Sequence, residues 1–168
     1  MKKVLLFAIV LVSFESCMSI KQTAITIPGI EKIIGTDLTK DKGYLKANEW
    51  AVTTFVNAES VIQFSDKEEG VVMGKYALKP ASTSSTYNVM TGQSSPYTIK
   101  AVFALIRVQS KDKAIKISIT PNDFTVVTVN DGVGGKTVSY SKEQAIIDVE
   151  ALITGFENYI KGASKSDW

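Results

Sequence analysis

The chain has 168 residues, of which 45% are hydrophobic and 21% are charged. These values are typical of a globular protein with one core, and they exclude a disordered chain or a coiled coil. The 19 basic and 17 acidic residues give a net charge of only +2, so we expect none of the clustered basic surface that binding to nucleic acid needs.

The N-terminus has the pattern of a secretory signal peptide. Two lysines follow Met1, residues 4–12 are an unbroken apolar run, and small polar residues follow at Ser13 and Ser16. The run is too short to span a bilayer, and the lysine pair disfavours a buried N-terminal helix or strand. The sequence therefore predicts a signal peptide over residues 1–16 and a single exported domain over residues 17–168.

Cys17 lies where the predicted signal peptide ends, and it is the only cysteine in the chain. Ser16 is the small residue that a lipoprotein signal peptidase prefers before a cysteine that will be lipidated, whereas Phe14 and Glu15 depart from the strict motif. Ordinary cleavage near Ser19 is the alternative and would remove Cys17. We favour lipidation of Cys17, which predicts a membrane-anchored lipoprotein facing the periplasm, with secretion to the periplasm as the alternative.

The first elements of the domain are a strand and a helix. Alternating β-branched residues predict a strand over residues 20–28, and residues 29–40 are predicted to be a connector. Apolar residues then recur at intervals of three and four, which predicts an amphipathic helix from about Thr39 to Ala58, capped by Thr39 or Asp41. Its apolar stripe consists of Tyr44, Ala47, Ala51, Phe55 and Ala58, with Leu45 and Trp50 alongside.

The middle of the chain predicts β structure. Residues 61–65 and 71–78 have the pattern of two strands of a hairpin, joined by a turn over residues 66–70. Residues 80–96 are rich in Ser, Thr, Gly and Pro, which predicts a long loop.

Three further strands follow this loop. Near the middle of residues 97–109, the residues that would point to either face of a sheet are apolar. This predicts a central strand with both faces covered. Residues 115–120 alternate isoleucine with polar residues, which predicts an antiparallel strand buried on one side. Residues 124–129 predict a further strand or an extended crossing.

A glycine-rich loop over residues 130–137 precedes a second helix. This loop lacks the first glycine of a phosphate-binding motif, and the helix begins too late, so we interpret it as a hairpin. Ser141 and Gln144 predict a capping box. The apolar stripe of the helix consists of Ala145, Val149, Leu152, Phe156 and Ile160.

Two amphipathic helices and a run of antiparallel strands predict an α+β fold. Both helices need one sheet face to bury their apolar stripes. We therefore expect an antiparallel β-sheet of about five strands with both helices packed on one face, in the order β-α-β-β-β-β-α.

One segment of the chain resembles a known family. The residues that carry the resemblance are Tyr44, Trp50, Phe55, Val61-Ile62-Gln63-Phe64, Asp66, Gly70, Val72 and Gly74-Lys75. They are similar to the pattern of a bacterial exported domain of unknown function that has a TBP-like fold. The resemblance implies that fold and an exported protein, often a lipoprotein, but it implies no activity.

Most of these motif residues have a structural explanation. Trp50 is expected to anchor the first helix, Gly70 to adopt a positive φ angle, and Gly74 to allow another backbone to approach. Asp66 can accept hydrogen bonds from turn amides, and Lys75 has no evident structural role. We therefore name Asp66 and Lys75 as the candidate binding residues.

The remaining chemistry argues against an enzyme. The chain contains no histidine and no cysteine after Cys17, which excludes a Ser-His-Asp triad, a Cys-His pair and nearly all zinc sites. No pair of carboxylates stands out as the acid and base of a glycan hydrolase. We therefore expect no catalytic residue, no metal site and no cofactor.

The sequence leaves two functions open. The first is a non-catalytic envelope protein whose exposed sheet face, or whose 80–96 loop, contacts an envelope protein partner or a second copy of the chain. The second is a carrier that binds a small ligand in a groove between the helices and the sheet.

Overall fold

The computed structural model describes residues 19–55, 61–88, 92–122, 124–130, 136–138 and 140–163. The predicted signal peptide and Cys17 lie outside these residues. The strands are β1 Ser19–Ala24, β2 Ile30–Gly35, β3 Ile62–Asp66, β4 Val71–Lys79, β5 Ser82–Asn88, β6 Gln93–Ile99, β7 Val102–Lys111, β8 Ala114–Asn122, β9 Thr125–Asn130 and β10 Lys136–Val138. The helices are α1 Lys40–Thr54 and α2 Lys142–Ala163.

The main sheet has five antiparallel strands in the order β2-β8-β7-β4-β3. Strand β8 shows why it forms, because Ile115, Ile117 and Ile119 point to one face and are fully buried. Both helices cover that same face. The predicted α+β class, the sheet of five strands and the placement of both helices on one face are therefore confirmed.

Aromatic residues join the two helices to each other and to the sheet. The Trp50 ring of α1 packs edge-on against Phe156 of α2, with 4.9 Å between ring centroids. It also packs against Phe55, at 5.3 Å, and Phe55 in turn contacts Tyr76 of β4 at 4.5 Å. The predicted anchoring role of Trp50 is therefore confirmed.

The remaining strands form two smaller sheets. Strand β9 pairs with β1 on one side and with β10 on the other, and β5 pairs only with β6. The three-stranded sheet has a core of its own, which contains Ile27, Val102, Phe124, Tyr140 and Ala145. The described chain thus has more strands than the predicted β-α-β-β-β-β-α order.

The predictions for the first strand and its connector were partly wrong. Strand β1 ends at Ala24 rather than at residue 28, and the predicted connector contains strand β2. Ile34 of β2 is buried, but Lys32 shares its face of the sheet and reaches Glu157 of α2, with 2.5 Å between Nζ and Oε2. Because Lys32 interrupts the apolar residues on the buried face of β2, the sequence lacks the alternation of apolar and polar residues that would have predicted this strand.

The predicted 80–96 loop was also wrong, because these residues form most of the β5–β6 hairpin. Their side chains are mostly polar and exposed, so no apolar alternation marks the strands. The predicted strand over residues 97–109 is divided, since β6 ends at Ile99 and β7 begins at Val102. Strand β7 is central as predicted, but only one of its faces is buried.

Both helices begin at their predicted caps. The Thr39 side chain accepts a hydrogen bond from Lys42 N at 3.4 Å, and the Ser141 side chain accepts one from Gln144 N at 3.1 Å. Helix α1 ends at Thr54, where Phe55 has extended backbone angles. Ala58, at the predicted end of the helix, lies outside the described residues. Leu45 is exposed and does not belong to the buried stripe.

Candidate functional site

The structure gives Asp66 a role in a turn. Its Oδ1 accepts a hydrogen bond from Glu69 N at 3.0 Å, in the turn that joins β3 to β4. Gly70 closes the same turn with a φ of +67°, as predicted for a glycine. This contact fixes the hairpin, so Asp66 is a structural residue of the turn.

Lys75 lies on β4, with its Nζ 4.3 Å from the centroid of the Phe103 ring. Asp66 is paired with Val71, four positions before Lys75 on the same strand. At about 3.3 Å per residue, the two candidate residues are about 13 Å apart along the sheet. They share one face but do not form a common site.

The sheet face opposite the helices is exposed, and we call it the open face. It is defined here by Glu31, Phe64, Met73, Lys75, Leu105, Arg107 and Lys116, which the strand register places on one side. Phe64 is 52% exposed and Leu105 is 39% exposed. The main sheet therefore has one face covered by helices and one face exposed, as antiparallel sheets commonly do.

The open face carries more unpaired positive charge than negative charge. Lys116 forms an ion pair with Glu31, with 2.8 Å between Nζ and Oε2, and its hydrogen bond lowers the pKa of the Glu31 carboxyl. Among the described residues, Lys75 and Arg107 form no ion pair. These two cations stand beside Leu105 and Met73 respectively in the strand register.

A cleft of about 510 Å³ lies between the two helices and β4, and we call it the helix cleft. Its lining consists of Trp50, Thr53 and Thr54 from α1, Tyr76 and Leu78 from β4, and Asp148, Ala151, Leu152, Gly155 and Tyr159 from α2. The walls are largely apolar and aromatic, with few polar groups, which is typical of a small-molecule site. The groove expected between the helices and the sheet is therefore present as a cavity.

Two neighbouring side chains fix the carboxylate of Asp148 in this cleft. The Tyr140 hydroxyl donates to Oδ2 at 2.6 Å, and Gln144 Nε2 donates to Oδ1 at 2.8 Å. The Gln144 side chain thus bonds to Asp148 and does not complete the predicted capping box. Burial, together with the bond to Asp148, strongly raises the pKa of the Tyr140 hydroxyl, so this donor keeps its proton.

Tyr159 forms the other polar edge of the helix cleft. Its hydroxyl donates to Glu49 Oε2 at 3.0 Å, and the same oxygen is 2.7 Å from Lys46 Nζ. The hydrogen bonds from Lys46 and Tyr159 lower the pKa of the Glu49 carboxyl, and burial raises the pKa of the Tyr159 hydroxyl. Glu49 is therefore neutralised by Lys46, whereas Asp148 has no basic partner among the described ion pairs.

A second cleft, of about 790 Å³, lies where the open face meets the three-stranded sheet. It is lined by both Lys75 and Lys100, together with Phe103 and Phe124. Of the two binding residues predicted from the sequence, Lys75 lines this second cleft but not the helix cleft. Asp66 lines neither cleft.

No group of His, Cys, Asp or Glu side chains among the described residues is arranged to hold a metal ion. In the described part of the chain, neither α1 nor α2 is long and apolar enough to cross a membrane.

Sequence reasoning missed the residues of the helix cleft. Asp148 and Tyr159 belong to α2, where charged and polar side chains were expected to face solvent. The spacing of Gln144 and Asp148 was a usable signal, since residues four apart share one side of a helix. Tyr140 lies just before this helix, which begins at Lys142. Nothing in the sequence placed Tyr76 of β4 opposite them, because that contact depends on how the helices sit on the sheet.

No protein-family model and no curated protein matches the chain. The chain is similar to the crystal structure of a DUF4468 family protein from Bacteroides ovatus ATCC 8483, with 12% identity and a TM-score of 0.45. That likeness covers 83% of this chain and 86% of the other. It is also similar to a TBP-like protein from Parabacteroides distasonis ATCC 8503, with 10% identity and a TM-score of 0.44, over 83% and 94% of the two chains.

Proposed function

We propose that this chain is an exported, lipid-anchored envelope protein that performs no catalysis and binds a protein partner through its open face. The signal-peptide pattern and Cys17 support export and anchoring. The observation that carries the binding role is the open face itself, where Phe64 and Leu105 remain exposed beside two cations without carboxylate partners.

The charges on the open face define the partner's chemistry. Lys75 and Arg107 stand on either side of an apolar strip formed by Phe64, Met73 and Leu105. A complementary surface presents carboxylates to the two cations and apolar side chains to the strip. The partner is therefore a protein segment that combines Asp or Glu with apolar residues.

A second copy of the chain fits this face less well. A two-fold interface brings the same patch of each copy together, so residues near the axis meet their own equivalents. Arg107 and Lys75 of one copy would then face Arg107 and Lys75 of the other, and like charges at close range repel. A homodimer through the open face is accordingly disfavoured relative to an acidic partner.

The test is site-specific photo-crosslinking in native envelope membranes. A photoreactive residue at Leu105 is expected to crosslink one protein in stoichiometric yield. The matched control is Ile147, an apolar side chain of α2 that is 56% exposed on the helix side of the molecule. Equal crosslinking from both positions, or none from Leu105, overturns the proposal, and a crosslink between two copies replaces the acidic partner with a homodimer.

Charge reversal tests the proposed complementarity. Arg107→Glu is expected to weaken the Leu105 crosslink strongly, because it places a carboxylate opposite the partner's carboxylates. Lys42→Glu makes the same charge change on exposed α1 and is expected to have little effect. If both substitutions act equally, the partner responds to net charge and not to this surface.

The second candidate function is a carrier for a small ligand, and the helix cleft favours it. A cavity of about 510 Å³ with aromatic walls and few polar groups is large enough to enclose a small molecule. The open face and the helix cleft lie on opposite sides of the main sheet, so the two functions can be tested independently.

A further inference from the structure

The helix cleft has a single charged group in its lining. Asp148 is the one ionisable side chain there apart from the tyrosines, and no lysine or arginine among the described residues lines the cavity. Glu49, which accepts the hydrogen bond of the Tyr159 hydroxyl, is already paired with Lys46. A ligand in this cleft therefore meets one negative charge without a counter-ion from the protein.

The Asp148 carboxylate is held in a fixed orientation. Tyr140 and Gln144 each donate to one of its oxygens, at 2.6 and 2.8 Å. A carboxylate oxygen has more than one acceptor position, so both oxygens can still accept a further hydrogen bond. The two donors are neutral and leave the charge of Asp148 uncompensated, so the fixed carboxylate is ready for a cationic donor.

Aromatic rings form much of the remaining wall. Trp50, Tyr76 and Tyr159 all line the cleft, together with the apolar side chain of Leu152. The faces of aromatic rings attract cations, and tryptophan does so most strongly. An anionic ligand would be repelled by the Asp148 carboxylate, because the two charges have the same sign.

We propose that the helix cleft binds a small organic cation, an ammonium group carried on an apolar body. The ammonium group is recognised by Asp148 and the aromatic rings, and the apolar body lies against Leu152 and the neighbouring wall. This inference rests on the carrier function, because it names the class of ligand that the carrier takes.

The test compares three probes that share one eight-carbon chain, namely octylammonium, 1-octanol and octanoate. Trp50 reports binding through its fluorescence, and Trp168→Phe removes the only other tryptophan. Octylammonium is expected to bind about tenfold more tightly than 1-octanol, which corresponds to one favourable cation interaction in a partly exposed site. Octanoate is expected to bind most weakly.

Two neutralising substitutions assign the preference to the cleft. Asp148→Asn keeps the shape of the side chain and is expected to reduce octylammonium binding to the level of 1-octanol, while 1-octanol binding is unchanged. Glu150→Gln removes one negative charge from an exposed position two residues away and is expected to leave the preference intact. Because 1-octanol reports the cavity without the charge, it also shows whether Asp148→Asn has kept the fold.

The outcomes separate this inference from the carrier function. If all three probes bind equally, the cation preference is wrong and the carrier function stands. If none binds, both are wrong. If Glu150→Gln and Asp148→Asn lower octylammonium binding to the same extent, the preference arises from net charge and not from Asp148.

Discussion

Two glycines with positive φ angles show what a single residue contributes to this fold. Gly70 has a φ of +67° and Gly92 has a φ of +66°. A Cβ atom at Gly70 would lie 2.6 Å from the carbonyl oxygen of Ser110, whereas at Gly92 the nearest atom would be the Tyr87 hydroxyl oxygen at 3.7 Å. The two positions therefore share the same backbone strain but differ in the space available.

Gly70→Ala is expected to destabilise the protein much more than Gly92→Ala. Backbone strain costs about 1–3 kcal/mol at each position, and the contact with Ser110 adds about 1–3 kcal/mol at Gly70 alone. The measurement is the free energy of unfolding in urea for both variants and the parent. Equal losses would show that strain alone, and not the close approach of β7 to the turn, requires glycine at position 70.

Lys75 shows the limit of reasoning from single residues. The sequence motif singled it out with Asp66 as a candidate binding residue, and Asp66 accepts a hydrogen bond from the turn amide of Glu69. Lys75 is placed over Phe103, a residue 28 positions later whose location depends on the pairing of β4 with β7. A pattern over a short segment cannot show which side chains the sheet brings next to it.

At the scale of elements, Trp50 is the largest side chain among the buried residues of α1, which are Gly43, Ala47, Trp50 and Ala51. Trp50 is 4% exposed and contacts aromatic rings on both sides, while Val52 on the same helix is 61% exposed. Trp50→Ala is expected to lower the free energy of unfolding by about 3–5 kcal/mol, because it leaves a large cavity between α1 and α2.

Val52→Ala is the matched control for this prediction and is expected to change stability by less than about 0.5 kcal/mol. Unfolding followed by circular dichroism measures both variants, since this signal does not require tryptophan. A small loss for Trp50→Ala would mean that the helix is held to the sheet by its backbone contacts and its other apolar residues.

Elements with one buried face were predictable from the sequence, and elements without one were not. Strand β8 and both helices carry regular apolar stripes, and each was placed correctly to within a few residues. Strands β5 and β6 pair with each other alone and bury little, so their polar sequence predicted a loop. The sequence predicted that both faces of β7 are covered, because Leu105 is apolar, but Leu105 is exposed on the open face.

The candidate sites depend on the assembly of elements and were the least predictable part. A groove between helices and sheet follows from the fold class, so its existence was expected. Its chemistry was not, since Asp148 acquires its partners from Tyr140 and Gln144 on one side and faces Tyr76 across the cavity. Tyr140, Gln144 and Asp148 are close in sequence, whereas Tyr76 joins the same cavity lining only because α2 packs near β4.

At the scale of the whole molecule, the main sheet separates two surfaces of opposite character. The open face carries unpaired Lys75 and Arg107, and the helix cleft carries Asp148 without a basic partner. A substitution on one side does not alter direct contacts on the other, because the buried core lies between them. The proposed protein partner and the proposed cation would therefore not compete for the same surface.

The proposed lipid anchor would be attached at Cys17, two residues before β1 begins at Ser19. Ser19 and Ile20 are already paired with Asn130 and Val129 of β9. Ordinary cleavage after Ser19 would remove the first residue of β1 that pairs with β9, whereas processing at Cys17 keeps β1 complete. Two residues span at most about 7 Å, so a lipid on Cys17 would hold the three-stranded sheet next to the bilayer surface.

Cys17→Ala is therefore expected to abolish labelling by a fatty-acid analogue and to change the mass of the processed protein. The parent is expected to be labelled, to fractionate with membranes and to begin at residue 17, because the acyl chains add about 0.8 kcal/mol of membrane affinity per buried methylene. Ser13→Ala in the predicted signal peptide is the control and should leave labelling intact. An unlabelled parent that begins at or after residue 19 would instead establish ordinary cleavage and a protein released to the periplasm.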